Sequence, residues 1–194
     1  IKKQQNLSHD IEKDLSKIVN ASLAARETVR KLLTFAREMP ARMQMSDVNT
    51  IIEDAMQLVN PRLSKTNIVV SSNLGVNLPM LYCDASQIQQ VVINLIVNAV
   101  QAMPDGGRLV ITTRECSGEL VLSVEDSGIG MSEDVQAKMF LPFYTTKEIG
   151  KGTGLGLPVV HGIVAMHGGR IEVKSEVGHG SRFDIILPVK KVES

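Results

Sequence analysis

Residues 126–157 read DSGIGMSEDVQAKMFLPFYTTKEIGKGTGLGL. Two glycine-punctuated loops, Asp126-Ser127-Gly128-Ile129-Gly130 and Gly152-Thr153-Gly154-Leu155-Gly156, flank a short helical piece and a polar loop. The second loop runs into an apolar, helix-like segment over 157–166. Glycines ahead of a helix let backbone N–H groups approach a ligand, and the helix start carries partial positive charge. That combination favours a phosphate. Lys147 adds a mobile cation just upstream. The spacing Gly152-x-Gly154-x-Gly156 is not the dinucleotide fingerprint and follows no strand. No G-x-x-x-x-G-K-[ST] run is present, which excludes a P-loop. A phosphate loop of this kind needs a partner element, which lies earlier in the chain.

The chain has 194 residues, enough for one medium domain or a small domain with an appendage. It is 43% hydrophobic but only 3% aromatic, so the core is aliphatic. Lys+Arg and Asp+Glu are both 21, and the zero net charge argues against a broad nucleic-acid surface. Cys83 and Cys116 form no metal-like cluster and read as idle thiols of a reducing compartment. No segment reads as a signal peptide or membrane span, so direct membrane contact is not expected. The first residue is Ile1, and the chain reads as a soluble, cytoplasmic piece of something longer.

Taken in order, Ser8 caps a helix expected to run to about Glu38. Its Leu15, Ile18, Ser22, Ala25, Val29, Leu32 and Ala36 form a heptad seam that needs a partner helix. Residues 40–46 read as a Met-rich link. Asp47 caps a second helix over 48–63. Strands are expected at 67–73, 79–83, 108–115, 119–125, 170–175 and 181–187. Asp84 opens a long helix to Met103, with Gln87 placed for a capping box. His161 and His167 read as a packed histidine and a helix-end cation, and His179 as a solvated turn residue.

The helix over 84–103 has an odd chemistry. Ile88, Val91, Val92, Leu95, Ile96 and Ala99 seat it on a sheet, while Gln87, Gln90, Asn94, Asn98 and Gln101 share a stripe. Asn94 and Asn98 lie one turn apart, roughly 6 Å along the axis. A side-chain carbonyl can ligate Mg²⁺, which takes its other ligands from water and substrate phosphates. A solvated amide-rich face would also produce the stripe. Two asparagines in mid-helix, however, are poor helix formers that need a reason.

These residues carry a resemblance. Asn94-Leu-Ile-Val-Asn98-Ala resembles the N box of sensor histidine kinases, and Asp126-Ser-Gly-Ile-Gly130 their first glycine box. Phe140-Leu-Pro-Phe143 resembles the F box, Gly152-Thr-Gly154-Leu-Gly156-Leu157 the second glycine box, and Gly178-His-Gly180-Ser-Arg-Phe183 a further one. Pro142-Phe143-Tyr-Thr-Thr-Lys147 is similar to the nitrogen-regulation branch. The resemblance covers 47–189 as an ATP-binding catalytic domain, followed by a tail at 190–194. Less specifically, it covers residues 1–39 as the second helix of a dimerisation hairpin. It implies an α/β two-layer sandwich, a mixed sheet with helices on one face, preceded by a long coiled-coil-like helix. ATP and Mg²⁺ are the implied ligands. Asp126 would accept from the adenine amino group, with Gly128 and Gly130 letting the base approach. Asn98 would hold Mg²⁺, with Asn94 near the phosphates. Gly152, Thr153, Gly154, Leu155, Gly156 and Leu157 would wrap the phosphates. Tyr144 and Lys147 would come from a lid over 131–153, and Gln101 and Ser181 complete the implied contacts. A homodimer through the N-terminal helix and a response regulator receiver domain are the implied partners.

The same ATP fold serves DNA gyrase B, mismatch-repair ATPases and a heat-shock chaperone. Those hydrolases place a glutamate four residues before the Mg²⁺ asparagine, where a carboxylate can deprotonate water. This sequence has Asn94 there, and an amide is no base. Transfer to a histidine then rests on positioning and charge stabilisation. His9-Asp10-Ile11 imitates an acceptor motif, but Glu12-Lys13-Asp14 departs from it, so the acceptor is expected upstream of this chain. A clamp-type ATPase and a non-catalytic nucleotide-sensing dimerisation module are the alternatives.

Overall fold

The computed structural model describes residues 11–19, 22, 41–147 and 152–189. Two units are recognised: residues 40–146 with 154–194, and a second to which the described residues 11–19, 22, 147, 152 and 153 belong. Residues 11–19 and 22 are helical. The rest of the expected N-terminal helix, most of its seam and His9 lie outside the described residues.

The larger unit begins with β1 (Gln44–Ser46), α1 (Val48–Leu63), β2 (Ile68–Leu74), β3 (Leu81–Cys83) and α2 (Ala85–Ala102). It continues with β4 (Gly107–Cys116), β5 (Glu119–Asp126), α3 (Glu133–Lys138), α4 (Gly156–Met166), β6 (Arg170–Glu176) and β7 (Gly180–Pro188). Five strands form one sheet in the order β2-β4-β5-β7-β6. The β2–β4 pair is parallel and the others are antiparallel. A parallel pair needs a crossover, and here the chain between β2 and β4 supplies α2.

Register decides what the sheet buries. Leu109, Ile111 and Thr113 of β4 lie opposite Asp126, Val124 and Leu122 of β5. Leu120, Leu122 and Val124 in turn face Leu187, Ile185 and Phe183 of β7. All of these are buried, and all but the polar Thr113 and Asp126 join the apolar stripes of α1, α2 and α4 in one core. Period-2 strands meet period-3.6 helices there, which is why both patterns were readable from sequence. The result is a mixed sheet covered by helices, as the resemblance implied.

The second aspartate of the helix starts ties the layers together. Asp84 accepts from the Ser86 and Gln87 N–H groups and the Ser86 hydroxyl at 2.6–3.2 Å, and from the Arg42 N–H at 2.8 Å. Burial alone would push its carboxyl up, but these hydrogen bonds outweigh burial and hold it below the usual carboxylate range. Its own N–H donates to His167 Nε2 at 3.1 Å. His167 Nδ1 lies 2.8 Å from the Ile163 carbonyl, so Nδ1 holds the proton and Nε2 accepts. His167 is thus a neutral bridge between the end of α4 and the start of α2, not the helix-end cation expected. The capping box is half made for the same reason: the Asp84 N–H is already taken, and Gln87 Oε1 is left buried with no partner among the described residues.

Two further readings change. The stretch 40–46 is in part a strand, because Gln44, Met45 and Ser46 pair antiparallel with Cys83, Tyr82 and Leu81. Three residues are too few to show alternation. The strand expected at 79–83 therefore belongs to this ribbon and not to the main sheet. Cys83 is buried and Cys116 exposed, both free.

His167→Ala should strand the buried Asp84 N–H, a loss of about 1–3 kcal/mol. His167→Gln, which keeps an acceptor at the ε position, should lose less. Urea unfolding followed by helical circular dichroism checks both; equal midpoints for parent and His167→Ala would remove the bridge from the stability of the fold.

Candidate functional site

Asp126 ends β5, only 7% exposed, with its register partner Ser181 on β7. Its Oδ1 accepts the Gly128 N–H at 2.9 Å, and the Ser181 N–H is a second donor. Burial nevertheless pushes its carboxyl above the ordinary value, and neighbouring Glu125 adds to the rise. Two donors leave part of the carboxylate's acceptor capacity unspent.

The glycines around Asp126 turn out to serve protein packing. A methyl on Gly128 would lie 2.5 Å from the Ala102 carbonyl and 2.8 Å from Asp126 Oδ1. Gly130, at φ +64°, leaves room for the Glu176 carbonyl, and Gly180, at φ +92°, for that of Asp126. Ile129 N–H donates to the Ala102 carbonyl at 3.0 Å, and Gly178 N–H to that of Ile129 at 2.8 Å. The first glycine loop is therefore clamped between the end of α2 and the β6–β7 turn. At Gly128 and Gly130 the position a Cβ would take is occupied by neighbouring backbone.

Across α2, Asn94 Oδ1 accepts from Gln90 Nε2 at 3.2 Å, and its Nδ2 makes a long 3.5 Å contact with the Gly156 carbonyl. A methyl on Gly156 would come within 3.8 Å and 3.9 Å of the two amide atoms of Asn98. Both asparagines thus face the first turn of α4. That turn has no side-chain cap, and buried Leu155 precedes it. Uncapped N–H groups of Gly156 and Leu157 at a helix start, beside a neutral amide, suit an anion. Pro158 contributes none. Among the described residues no group of three or more His, Cys, Asp or Glu could hold a metal. The hard oxygen of Asn98 therefore fits Mg²⁺ only if phosphates supply further ligands.

The second glycine box is latched to the F box. Phe143 N–H donates to the Gly154 carbonyl at 3.0 Å. Phe143 has φ +66° and Gly154 φ +63°, and a methyl on Gly154 would run into the Phe143 backbone. A phenylalanine at positive φ is strained. It is also 63% exposed, so packing of its ring does not explain the strain. Tyr144 is half-buried and Gln101 exposed on the rim of α2. Lys147, Gly152 and Thr153 belong to the second unit. Burial lowers the Lys147 ammonium below its ordinary value.

The expected lid is not uniform. Met131 N–H donates to Ser175 Oγ at 2.8 Å, and Gln136 Nε2 donates to the Met131 and Ser175 carbonyls at 3.1 Å and 3.0 Å. Met139 is buried in the core. The segment before residue 140 is therefore anchored to β6. Sequence reading missed Ser175, whose only signal is its polarity on the edge strand β6, and Gln136, a polar residue of the short α3. His161 is exposed, with Phe140 tilted against it at 5.1 Å, and His179 lies exposed beside Glu176 at 3.5 Å.

A carboxyl whose native pKa is raised contributes stability that is full below its unfolded value and lost as pH rises through the native one. At neutral pH ionised Asp126 therefore costs stability. Asp126→Asn, which keeps an acceptor for Gly128 and Ser181, should melt higher than the parent without ligand at neutral pH. The gap should close as pH falls through the native carboxyl's range. Thermal melts across pH test this, and a lower melting point for the variant at neutral pH would contradict it.

Residues 83–191 match the family model of histidine kinase-, DNA gyrase B-, and HSP90-like ATPases. The chain is 38% identical over 190 residues to a sensor kinase, CckA, of Brucella abortus (strain 2308), a match covering 90% of this chain and 20% of that protein. The chain thus spans about a fifth of that relative's length. It resembles the fold of full-length ShkA, solved with AMPPNP, with a TM-score of 0.81 at 24% identity over 95% of this chain and 40% of that one. Histidine kinase ThkA, solved in complex with the response regulator TrrA, gives a TM-score of 0.78 at 26% identity over 97% and 54% of the two chains. With more than half its length inside the matched model, the chain belongs to the family of histidine kinase-, DNA gyrase B- and HSP90-like ATPases.

Proposed function

We propose that this chain is the ATP-binding catalytic part of a sensor histidine kinase, transferring the γ-phosphoryl group of ATP to a histidine for relay to a response regulator. The observation that carries the reading is the pairing of a buried, incompletely satisfied Asp126 with an uncapped helix start faced by Asn94 and Asn98. The first suits the amino edge of adenine and the second suits phosphates. Similarity to a sensor kinase and to a histidine kinase solved with its response regulator supports the choice within the family.

Each residue then has a task. Asp126 accepts from the adenine amino group, beside Ser181, with Gln101 on the rim. Asn98 offers an amide oxygen to Mg²⁺, and Asn94 stands near the phosphates. Gly154, Leu155, Gly156 and Leu157 turn backbone N–H groups toward them, with Tyr144 closing from the lid. Bound Mg·ATP supplies the phosphoryl group and the charge that the metal neutralises. Asn94 stands where a hydrolase needs a carboxylate, so water goes unactivated and a histidine imidazole, already nucleophilic, is favoured. Residues 47–189 would be the catalytic domain, and 1–39 would pair in a homodimer through the heptad seam. No helix among the described residues is long and apolar enough to cross a membrane. A cytoplasmic setting belongs to the same proposal.

The chain should be mixed with labelled ATP, Mg²⁺ and a separate hairpin bearing an acceptor histidine. Acid-labile, base-stable label on the hairpin is expected, and none on His9. Release of free phosphate instead would favour the clamp-type ATPase, and binding without transfer a nucleotide-sensing module.

Two variants test the site itself. Asn98→Ala should weaken Mg·ATP by roughly tenfold or more, the scale of one contact to a charged group, and Mg-free ATP much less. Equal weakening of both would remove Asn98 from the metal. Asp126→Asn should weaken ATP by roughly ten- to a hundred-fold, because its amide donor meets the adenine amine. Unchanged affinity would make Asp126 structural.

A further inference from the structure

Asp126, Ser181 and Ser175 are consecutive register partners across β5, β7 and β6, and they line one polar row at the end of the core face. Ser175 Oγ accepts the Met131 N–H at 2.8 Å, lies 2.9 Å from the Gly180 carbonyl, and lies 2.9 Å from Ser181 Oγ. A serine hydroxyl has one proton and two lone pairs. The Gly180 carbonyl can only accept, so it takes the Ser175 proton. The Met131 N–H takes one lone pair. What remains for Ser181 is the other lone pair, so Ser181 must donate its proton to Ser175. Every hydrogen-bonding position of Ser175 is then spent, and the direction of the Ser181 hydroxyl is fixed.

We infer that Ser175 is a positioning residue that sets base selection by holding the Ser181 proton away from the base. This deepens the ATP reading given above and rests on it. With the Ser181 proton committed to β6, Asp126 and Ser181 present acceptors only: the carboxylate and the Ser181 lone pair. A 6-amino purine offers a donor to that set. A 6-oxo purine puts an acceptor against acceptors, which a buried site rejects strongly. Freed from Ser175, the Ser181 hydroxyl turns and donates to a 6-oxo group. Ser175 itself needs no contact with the base.

The test compares ATP with ITP, which replaces the 6-amino group by a 6-oxo group, on the full chain with Mg²⁺ by calorimetry. Ser175→Ala should narrow the ITP-to-ATP ratio of Kd values by about tenfold, the effect of one hydrogen bond gained by the wrong base, with ATP affinity nearly kept. Ser175→Thr should restore the parent ratio. Ser181→Ala, lacking the hydroxyl altogether, should not narrow it. If Ser175→Ala does not fold, Ser175→Cys, which keeps the volume and surrenders the strong acceptor, reads the same ratio. Equal weakening of both nucleotides, or an unchanged ratio, overturns this inference and leaves the ATP reading standing. A parent chain that binds neither nucleotide overturns the ATP reading and this inference with it.

Discussion

Everything at the site depends on three places where backbone meets backbone with no Cβ between. Gly128 lies against the Ala102 carbonyl, Gly130 against that of Glu176, and Gly180 against that of Asp126. The first contact pins the end of α2 to the loop after β5. The other two pin that loop to the β6–β7 turn. With α2 fixed at its C-terminal end, and tied through Asp84 and His167 at its N-terminal end, its rotation about its own axis is fixed as well. That rotation aims Asn94 and Asn98 at the start of α4. A side chain at any of the three glycines would displace a backbone, so the cost would spread through the packed interior.

Two aspartates show how local donors decide a buried carboxyl's character. Asp84 and Asp126 are each 7% exposed. Asp84 collects donors from two elements and its pKa falls. Asp126 receives two backbone N–H groups, sits next to Glu125, and its pKa rises. Desolvation opposes the charged form at both and is the heavier at Asp126, where fewer donors stand against it. Asp84 is satisfied by its own protein, whereas Asp126 holds acceptor capacity in reserve, as the proposed adenine contact requires. The first turn of α4 is uncapped, and the strained Phe143 is latched to Gly154 just ahead of it. Such local departures gather where a fold is shaped for something other than its own stability.

Legibility in the sequence followed length and chemistry. α2, β4, β5 and β7 announced themselves because each carries several periods of its pattern. Asp126, Asn94 and Asn98 stood out because polar residues interrupt apolar runs. β1 was hidden because three residues hold no period, and its partner β3 supplies the reason for it. His167 misled because a histidine at a helix end suits a cation by default, while its actual role depends on an N–H contributed from Asp84, far away in sequence. Phe143 gave no warning, since nothing in a phenylalanine signals positive φ. Ser175 looked like any edge-strand serine until the register put Ser181 beside it. The glycines stood out by their spacing, which cannot say whether a missing Cβ makes room for a ligand or for a carbonyl.

Asn94 bears on what the site would do with a bound nucleotide. Its amide is engaged on both sides, accepting from Gln90 and reaching the Gly156 carbonyl. A glutamate at this position would place a negative charge beside that carbonyl and beside any phosphate held at the helix start, and would be justified only by the proton it could take from water. An amide avoids the repulsion and gives up the base. The exchange lowers hydrolysis more than transfer, because water needs its proton removed to attack and an imidazole brings a lone pair of its own. On the proposed reading, a single neutral side chain thus protects the phosphoryl group from solvent until a better nucleophile arrives.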